Sequence, residues 1–256
     1  RALEREPVCF KYRVRRICGM GPPSSGGITV AQTLKLLEGY DLSKQAIGVM
    51  SPKALHLIAE AQKLAYADRN RYLADADFVK PPEGLLAPDY IAKRRRLISD
   101  GEAMMRPQAG QPQALAHRRF GADETIERSG TSHISIVDKR GQAVAMTTTI
   151  EGGFGSGLWA SGFLLNNELT DFSFLPVDAQ GRPIANRVEG GKRPRSSMSP
   201  TLVFGQDGKL EAAVGSVGGS RIILYVIKSL IALTDWEMSA QAAADLSNFG
   251  SRGGPF

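Results

Sequence analysis

Only two cysteines and three histidines occur in the 256 residues. Neither type recurs at metal-ligand spacing, so no zinc-type centre is expected. Cys9 and Cys18 allow one disulfide or none, which leaves the redox compartment open. Long hydrophobic runs are missing too: the most apolar stretch, RIILYVIKSLIAL (221–233), is too short to span a bilayer and is interrupted by Lys228. The chain as given therefore reads as soluble. Its net charge is +6, but the basic residues sit in short runs such as KYRVRR (11–16) and KRRR (93–96) without interleaved aromatics. Those runs read as solvated faces and not as a nucleic-acid stripe. No internal repeat is visible. The first residue is Arg1, with neither an initiator Met nor a signal-like segment, so the chain reads as a fragment from which any targeting signal is missing.

What remains is ordinary globular material: 42% hydrophobic and 23% charged residues, enough to bury one large core or two modest ones. CFKYRVRRIC (9–18) alternates like an edge strand. The turn-rich GMGPPSSGGITV leads to a helix over 28–39, where Val30, Leu34 and Leu37 share a face and Gly39 stops it. Ser51 as N-cap and Pro52 at the first helical position open a second helix, whose stripe is Ala54, Leu57, Ile58, Ala61, Leu64 and Ala65. A third runs from Pro88 to about Ser99. Residues 101–130 then lose periodicity and gain Pro, Gln and Gly, as a long mobile connector would. Strands follow at 162–167, 201–204 and over GKLEAAVGS, before the glycine-rich GSVGGSR enters an apolar helix. Helices and short strands in this order predict an α+β or layered α/β/β/α fold.

The most informative stretch is RSGTSHISIVDKRGQAVAMTTTI (128–150). Two alternating runs flank Lys139-Arg140-Gly141, and a three-residue connection ending in Gly suits a type I turn closed by a glycine bulge. That turn fixes the register. Asp138 meets Gln142, Val137 meets Ala143, Ser135 meets Ala145, His133 meets Thr147, and Thr131 meets Thr149. Two threonine hydroxyls thus become cross-strand neighbours directly after a loose connector. One reading is a linker followed by a surface hairpin. The other is a break at Gly130–Thr131 that frees the α-amine of Thr131, turning it into the base for its own hydroxyl. An amine of reference pKa about 7.7–8.0 suits that task. His133 beside a hydroxyl invites a Ser-His reading, but a structural histidine is expected. GSVGGSR alone reads as a tight turn or as a phosphate cradle at a helix start; the lack of Lys-Ser/Thr after its glycines argues against nucleotide binding.

TSHISIVDKRGQAVAMTTTIEGGFGSGLWASGFLLNNELTDFS resembles the start of the small subunit of γ-glutamyltranspeptidases, which are N-terminal-nucleophile hydrolases cut autocatalytically from one precursor. GPPSSGGITVAQTLKLLEGYD, AYADRNRYLADADFV, KRPRSSMSPTLV and GSVGGSRII are similar to the same family in the same order, so the resemblance covers most of residues 20–235. It implies a layered α/β/β/α fold, incomplete in this fragment. Residues 1–130 would be the end of the large-subunit region with the connector 101–130, and residues 131–256 the small-subunit region, together one structural domain.

The resemblance further implies that Thr131 is the nucleophile, cleaved from Gly130, with Thr149 orienting it. Gly218 and Gly219 would form the oxyanion hole. Ser196 and Ser197 would hold the donor's α-carboxylate; Asp171, with Glu168 nearby, would take its α-amine. The reaction implied is γ-glutamyl transfer from glutathione or a related amide to an amino acid or water, with no metal or organic cofactor and no nucleic-acid partner. A periplasmic or secreted location is also implied. Three departures bear on the substrate. Glu151 stands where bacterial relatives are expected to have Asn, the family's carboxylate-pairing arginine would lie upstream of Arg1, and the segment between Asp171 and Ser196 is short for a full lid. An acylase of different acyl specificity and an uncut binding-only relative are the rival readings.

Overall fold

The computed structural model describes residues 2–112, 120–125 and 130–253. Its elements, in chain order, are strands β1 (Val8–Tyr12) and β2 (Arg15–Gly19), helices α1 (Gly26–Leu37), α2 (Pro52–Tyr72) and α3 (Pro88–Arg95), and the hairpin β3 (Ser132–Val137) and β4 (Ala143–Thr148). The short β5 (Trp159–Ala160) and β6 (Phe163–Leu164), β7 (Thr201–Phe204), β8 (Leu210–Val214), α4 (Ile222–Thr234) and α5 (Ala240–Asp245) complete the set, with 3-10 turns at Glu168–Asp171 and Gly219–Arg221. Helices and sheets thus mix in an α+β arrangement. One antiparallel sheet has the order β1-β2-β7-β8; β3-β4 and β5-β6 are separate two-stranded ribbons.

Helices α1, α2 and α4 meet in the core. Leu34, Leu57, Ile58, Leu64, Ile223, Ile227 and Leu230 are buried in one cluster with Trp236, whose indole donates to Leu42 O at 3.0 Å. Each such side chain contributes roughly 1.5–3 kcal/mol on burial. The α2 start forms as its sequence implies, with Ser51 Oγ accepting from Ala54 N at 3.1 Å and Pro52 in the first turn. The same helix buries Glu60, Lys63, Asp68 and Arg69 as well as its apolar stripe. These polar groups pin the connector: Met104 N donates to Glu60 Oε2 at 2.9 Å and Gly110 N to Asp68 Oδ1 at 2.7 Å. The remainder of the expected mobile segment falls partly on 113–119 and 126–129, outside the described residues.

Three sequence expectations need correction, the first being the strand expected at 162–167, which is regular only over Phe163–Leu164. CFKYRVRRIC is not one strand but a hairpin. Arg13 turns the chain at φ +52°, held there because its guanidinium donates to Asp235 Oδ1 (2.9 Å), Glu38 O (3.2 Å) and Tyr40 O (2.7 Å). Cys9 and Cys18 face each other across this hairpin and are disulfide-bonded. The third helix stops at Arg95, short of Ser99. The β3-β4 register, by contrast, is the one the Lys-Arg-Gly turn implies: His133 opposes Thr147, Ser135 opposes Ala145 and Val137 opposes Ala143. Gly141 takes φ +81° and Asp138 Oδ1 accepts from Arg140 N (2.8 Å) and Gln142 N (2.9 Å), closing the turn.

Candidate active site

The site is assembled where three loops converge on the start of β3. The first carries Ser24 and Ser25 into α1. Gly26 is required here because a Cβ would stand 2.6 Å from Met198 O, so the helix start can lie directly on the second loop, Ser196–Ser199. Ser25 N and Ser25 Oγ each donate to Ser196 O at 2.8 Å, and Ser196 N returns a bond to Pro23 O at 3.0 Å. The third loop is the Gly218–Ser220 turn before α4. Gly218 takes φ +126° and Gly219 φ +57°, conformations open to glycine, so the chain turns sharply from β8 into the helix.

Onto these loops the hairpin delivers the two threonines. Thr131 Oγ1 donates to Gly130 O at 2.6 Å, and Thr149 Oγ1 donates to the same oxygen at 2.5 Å. Thr149 Oγ1 also accepts from Glu151 N at 2.8 Å. Glu151 is 5% exposed and takes φ +69°, rare for a non-glycine residue. Asn167 holds it there, its Nδ2 donating to Glu151 Oε2 (2.6 Å) while its Oδ1 accepts from Gly152 N (2.8 Å). A Cβ on Gly130 would overlap the carbonyl oxygen of Glu151. The peptide before Thr131 is thus wedged against the loop that follows Thr149.

A cavity of about 20 Å³ lies at this junction, lined by Gly130, Thr131, Thr149, Glu151, Asp171, Ser196, Ser197 and Gly219, together with Met198 and Ile222. That is room for about one water. Of the ten residues singled out from the sequence, these eight share one small pocket. Gly218 lies one residue back in its turn, and Glu168 stands beside Glu151. The Glu168 carboxyl is held above its usual range, first by burial and then by the charge of Glu151, and its Oε1 is buried without a hydrogen-bond partner among the described residues. His133 lies outside the pocket. It joins Thr147 Oγ1 (2.8 Å) and Ser135 Oγ (3.0 Å), and burial lowers its pKa, as suits a neutral structural histidine.

Reasoning from the sequence missed the groups that hold these loops. Asn186 donates to Asp171 O (2.7 Å) and Asp123 Oδ2 (3.0 Å), and accepts from Arg195 N (2.9 Å). Arg69 donates to Ser25 Oγ (2.8 Å) and Ser197 Oγ (2.5 Å). Arg69 had a legible signal, since Asp68 and Arg69 prolong the buried stripe of α2 through Leu64 and Ala65. Asn186 had none, because its partners lie far apart in the chain.

The family model described as gamma-glutamyltranspeptidase matches residues 1–254. The chain belongs to the gamma-glutamyltranspeptidase family. It is 40% identical over 255 residues to the glutathione hydrolase proenzyme of Escherichia coli (strain K12), covering 97% of this chain and 42% of that protein. It is 34% identical over 252 residues to the Acylase ACY 1 proenzyme of Pseudomonas sp. (strain V22), covering 98% of this chain and 41% of that one. The chain thus spans about two-fifths of the length of these gamma-glutamyltranspeptidase-family relatives. Cephalosporin acylase from Bacillus halodurans has a similar fold, with a TM-score of 0.75 at 24% identity over 94% of this chain and 40% of that chain.

Proposed function

We propose that this chain carries the reaction centre of an autoprocessing γ-glutamyl hydrolase and transferase, acting on glutathione or related γ-glutamyl amides through a threonine ester. The observation that carries this reading is the pair of hydroxyls on the Gly130 carbonyl, Thr131 Oγ1 at 2.6 Å and Thr149 Oγ1 at 2.5 Å. Thr131 Oγ attacks that carbonyl carbon, and the Thr149 hydroxyl supports the negative charge developing on its oxygen. The C–N bond then breaks, leaving an ester on Thr131 and a free α-amine. Water hydrolyses the ester, giving a Gly130 carboxylate and an N-terminal Thr131. Gly130 would then withdraw from the pocket that it now lines.

In the mature form the Thr131 amine takes the hydroxyl proton as Oγ attacks the donor's γ-carbonyl. The Gly218 and Gly219 N–H groups would receive the oxyanion, each such donor contributing about 3–4 kcal/mol to the transition state. The amine returns its proton to the leaving group, and water or an amino acid takes the acyl group from the ester. Ser196 and Ser197 would hold the donor carboxylate, with Asp171, Glu151 and Glu168 around its ammonium. Residues 1–130 and 131–256 would then be parts of two subunits from one precursor, sharing one structural domain. The Ser135 Oγ bond to Ala213 O (3.2 Å) sets the hairpin against β8 of the four-stranded sheet, and on the family reading both would belong to a layered N-terminal-nucleophile hydrolase fold.

Intact mass and N-terminal sequencing of the full-length protein test the reading. Two chains, one beginning Thr-Ser-His, with release of nitroaniline from γ-glutamyl-4-nitroanilide, are expected; a single stable chain would overturn it. An acylase of a different acyl specificity, tested with a glutaryl chain that lacks the ammonium, is the second reading, favoured by the 34% identity to a protein named acylase. Three carboxylates facing an acyl chain without an ammonium argue against it, and glutaryl-4-nitroanilide separates the two.

A further inference from the structure

Two buried side chains on α2 reach different halves of the site from one helical turn. Arg69 is 3% exposed, and its guanidinium spans the first and second loops: Nε donates to Ser25 Oγ at 2.8 Å, and Nη2 to Ser197 Oγ at 2.5 Å. Ser25 in turn donates to Ser196 O at 2.8 Å, so both members of the serine pair hang on this one cation. Three residues earlier, Tyr66 is 1% exposed and its hydroxyl donates to Ser220 O, the carbonyl that ends the Gly218–Gly219 turn. The same turn is braced from the other side by Arg252 Nη1, which donates to Ser220 Oγ at 2.5 Å. The Arg69 guanidinium also lies over the Tyr66 ring, 5.4 Å from its centre, so the two anchors fix each other.

We infer that Tyr66 and Arg69 are positioning residues, and that α2 acts as the ruler between the serine pair and the glycine turn. The inference rests on the reading above, in which the serines take a donor carboxylate and the glycines the oxyanion. The two anchors then have separable effects. A carboxylate is bound alike in the ground and transition states, so loosening Ser197 raises KM and leaves kcat nearly unchanged. An oxyanion exists only in the transition state, so loosening the glycine turn lowers kcat and leaves KM nearly unchanged. Accepting from a guanidinium also makes the Ser197 hydroxyl a stronger donor toward an anion. A lysine at 69 brings the charge but not the fork that spans two serines.

The test is steady-state kinetics of the processed full-length enzyme and its Arg69→Met, Arg69→Lys and Tyr66→Phe variants on three 4-nitroanilides. The γ-glutamyl and glutaryl donors both carry the carboxylate; the 4-aminobutanoyl donor lacks it. Arg69→Met is expected to raise KM by about ten- to hundredfold for the two carboxylate donors and by less than about threefold for the third, with Arg69→Lys recovering part of the loss. Tyr66→Phe is expected to lower kcat by about tenfold on every donor the enzyme accepts, with KM nearly constant. If Arg69→Met does not fold, the lysine variant carries the same comparison between donors. An equal rise in KM on all donors, unchanged constants, or parallel losses of kcat in both variants would overturn the inference. A wild-type enzyme that cleaves only the glutaryl donor sinks the γ-glutamyl reading, and the Arg69 effect is then read on that donor. One that cleaves only the 4-aminobutanoyl donor, or none of the three, overturns both.

Discussion

Glu168 and Gly130 are the residues whose surroundings constrain them most sharply. Burial and the Glu151 charge hold the Glu168 carboxyl above its ordinary range, so the folded protein binds its proton more tightly than the unfolded chain does. Stability from this group is therefore complete below the unfolded value of about 4.3 and falls as pH rises through the raised folded value. Glu168→Gln should leave the melting temperature near pH 4 almost unchanged and raise it at neutral pH, as melting curves across that interval would show; equal shifts at both ends would refute the assignment. At Gly130 the constraint is steric. A Cβ overlaps the Glu151 carbonyl oxygen, so Gly130→Ala must displace the Gly130 carbonyl, the proposed cleavage point, from the Thr131 and Thr149 hydroxyls. A shift costing about 1–3 kcal/mol would slow cleavage by about five- to 150-fold, which a time course of intact mass would reveal. Cleavage at the wild-type rate would mean that this close approach has no part in processing.

Among the elements, those specified by local chemistry were legible in the sequence. The β3-β4 register follows from Gly141 and the Asp138 side chain, which act within five residues, and the start of α2 follows from Ser51 and Pro52. Continued one step beyond the Ser132–Thr148 pair, that register sets Thr131 opposite Thr149; the roles proposed for them, and for the glycine turn and serine pair, come only from the family resemblance. The turn at Arg13 was not legible, because the groups that hold it, Asp235, Glu38 and Tyr40, are brought there by the tertiary fold. Lys228 illustrates the same division. In the sequence it is a charge interrupting an apolar run; in the structure its ammonium caps α5, donating to Ala243 O (2.9 Å) and Leu246 O (3.2 Å). Burial lowers its pKa, so its protonated form is disfavoured in the fold and stability from this group rises with pH between the lowered value and the ordinary one near 10.4. Lys228→Met removes that burial cost but orphans two carbonyls, and the net expected near neutral pH is a loss of about 1–3 kcal/mol in urea unfolding. A gain in stability would show that the cap contributes less than the buried charge costs.

At the scale of the whole molecule, the hairpin that bears Thr131 has two unlike faces. One meets β8 through Ser135, whose Oγ donates to Ala213 O at 3.2 Å. The other sets Ile134 opposite Met146 and Ile136 opposite Val144, with 46%, 46%, 56% and 53% of their surfaces exposed. Four large apolar side chains on one face of a two-stranded ribbon form a contiguous patch of the kind that drives association in water. The 256-residue chain on its own is therefore expected to bind a hydrophobic dye and to self-associate, as light scattering across a concentration series would show. Ile134→Lys with Met146→Glu places opposite charges directly across the ribbon, a pairing that keeps the register while removing half of the patch. The double variant should bind at least about twofold less dye and scatter less, with its melting temperature within a few degrees of the parent, because the core among α1, α2 and α4 is untouched. A parent chain that stays monomeric and binds no dye would mean that this face closes on itself in solution. A double variant that loses its melting transition would mean instead that the patch contributes to the fold of the hairpin, and with it to the placement of Thr131.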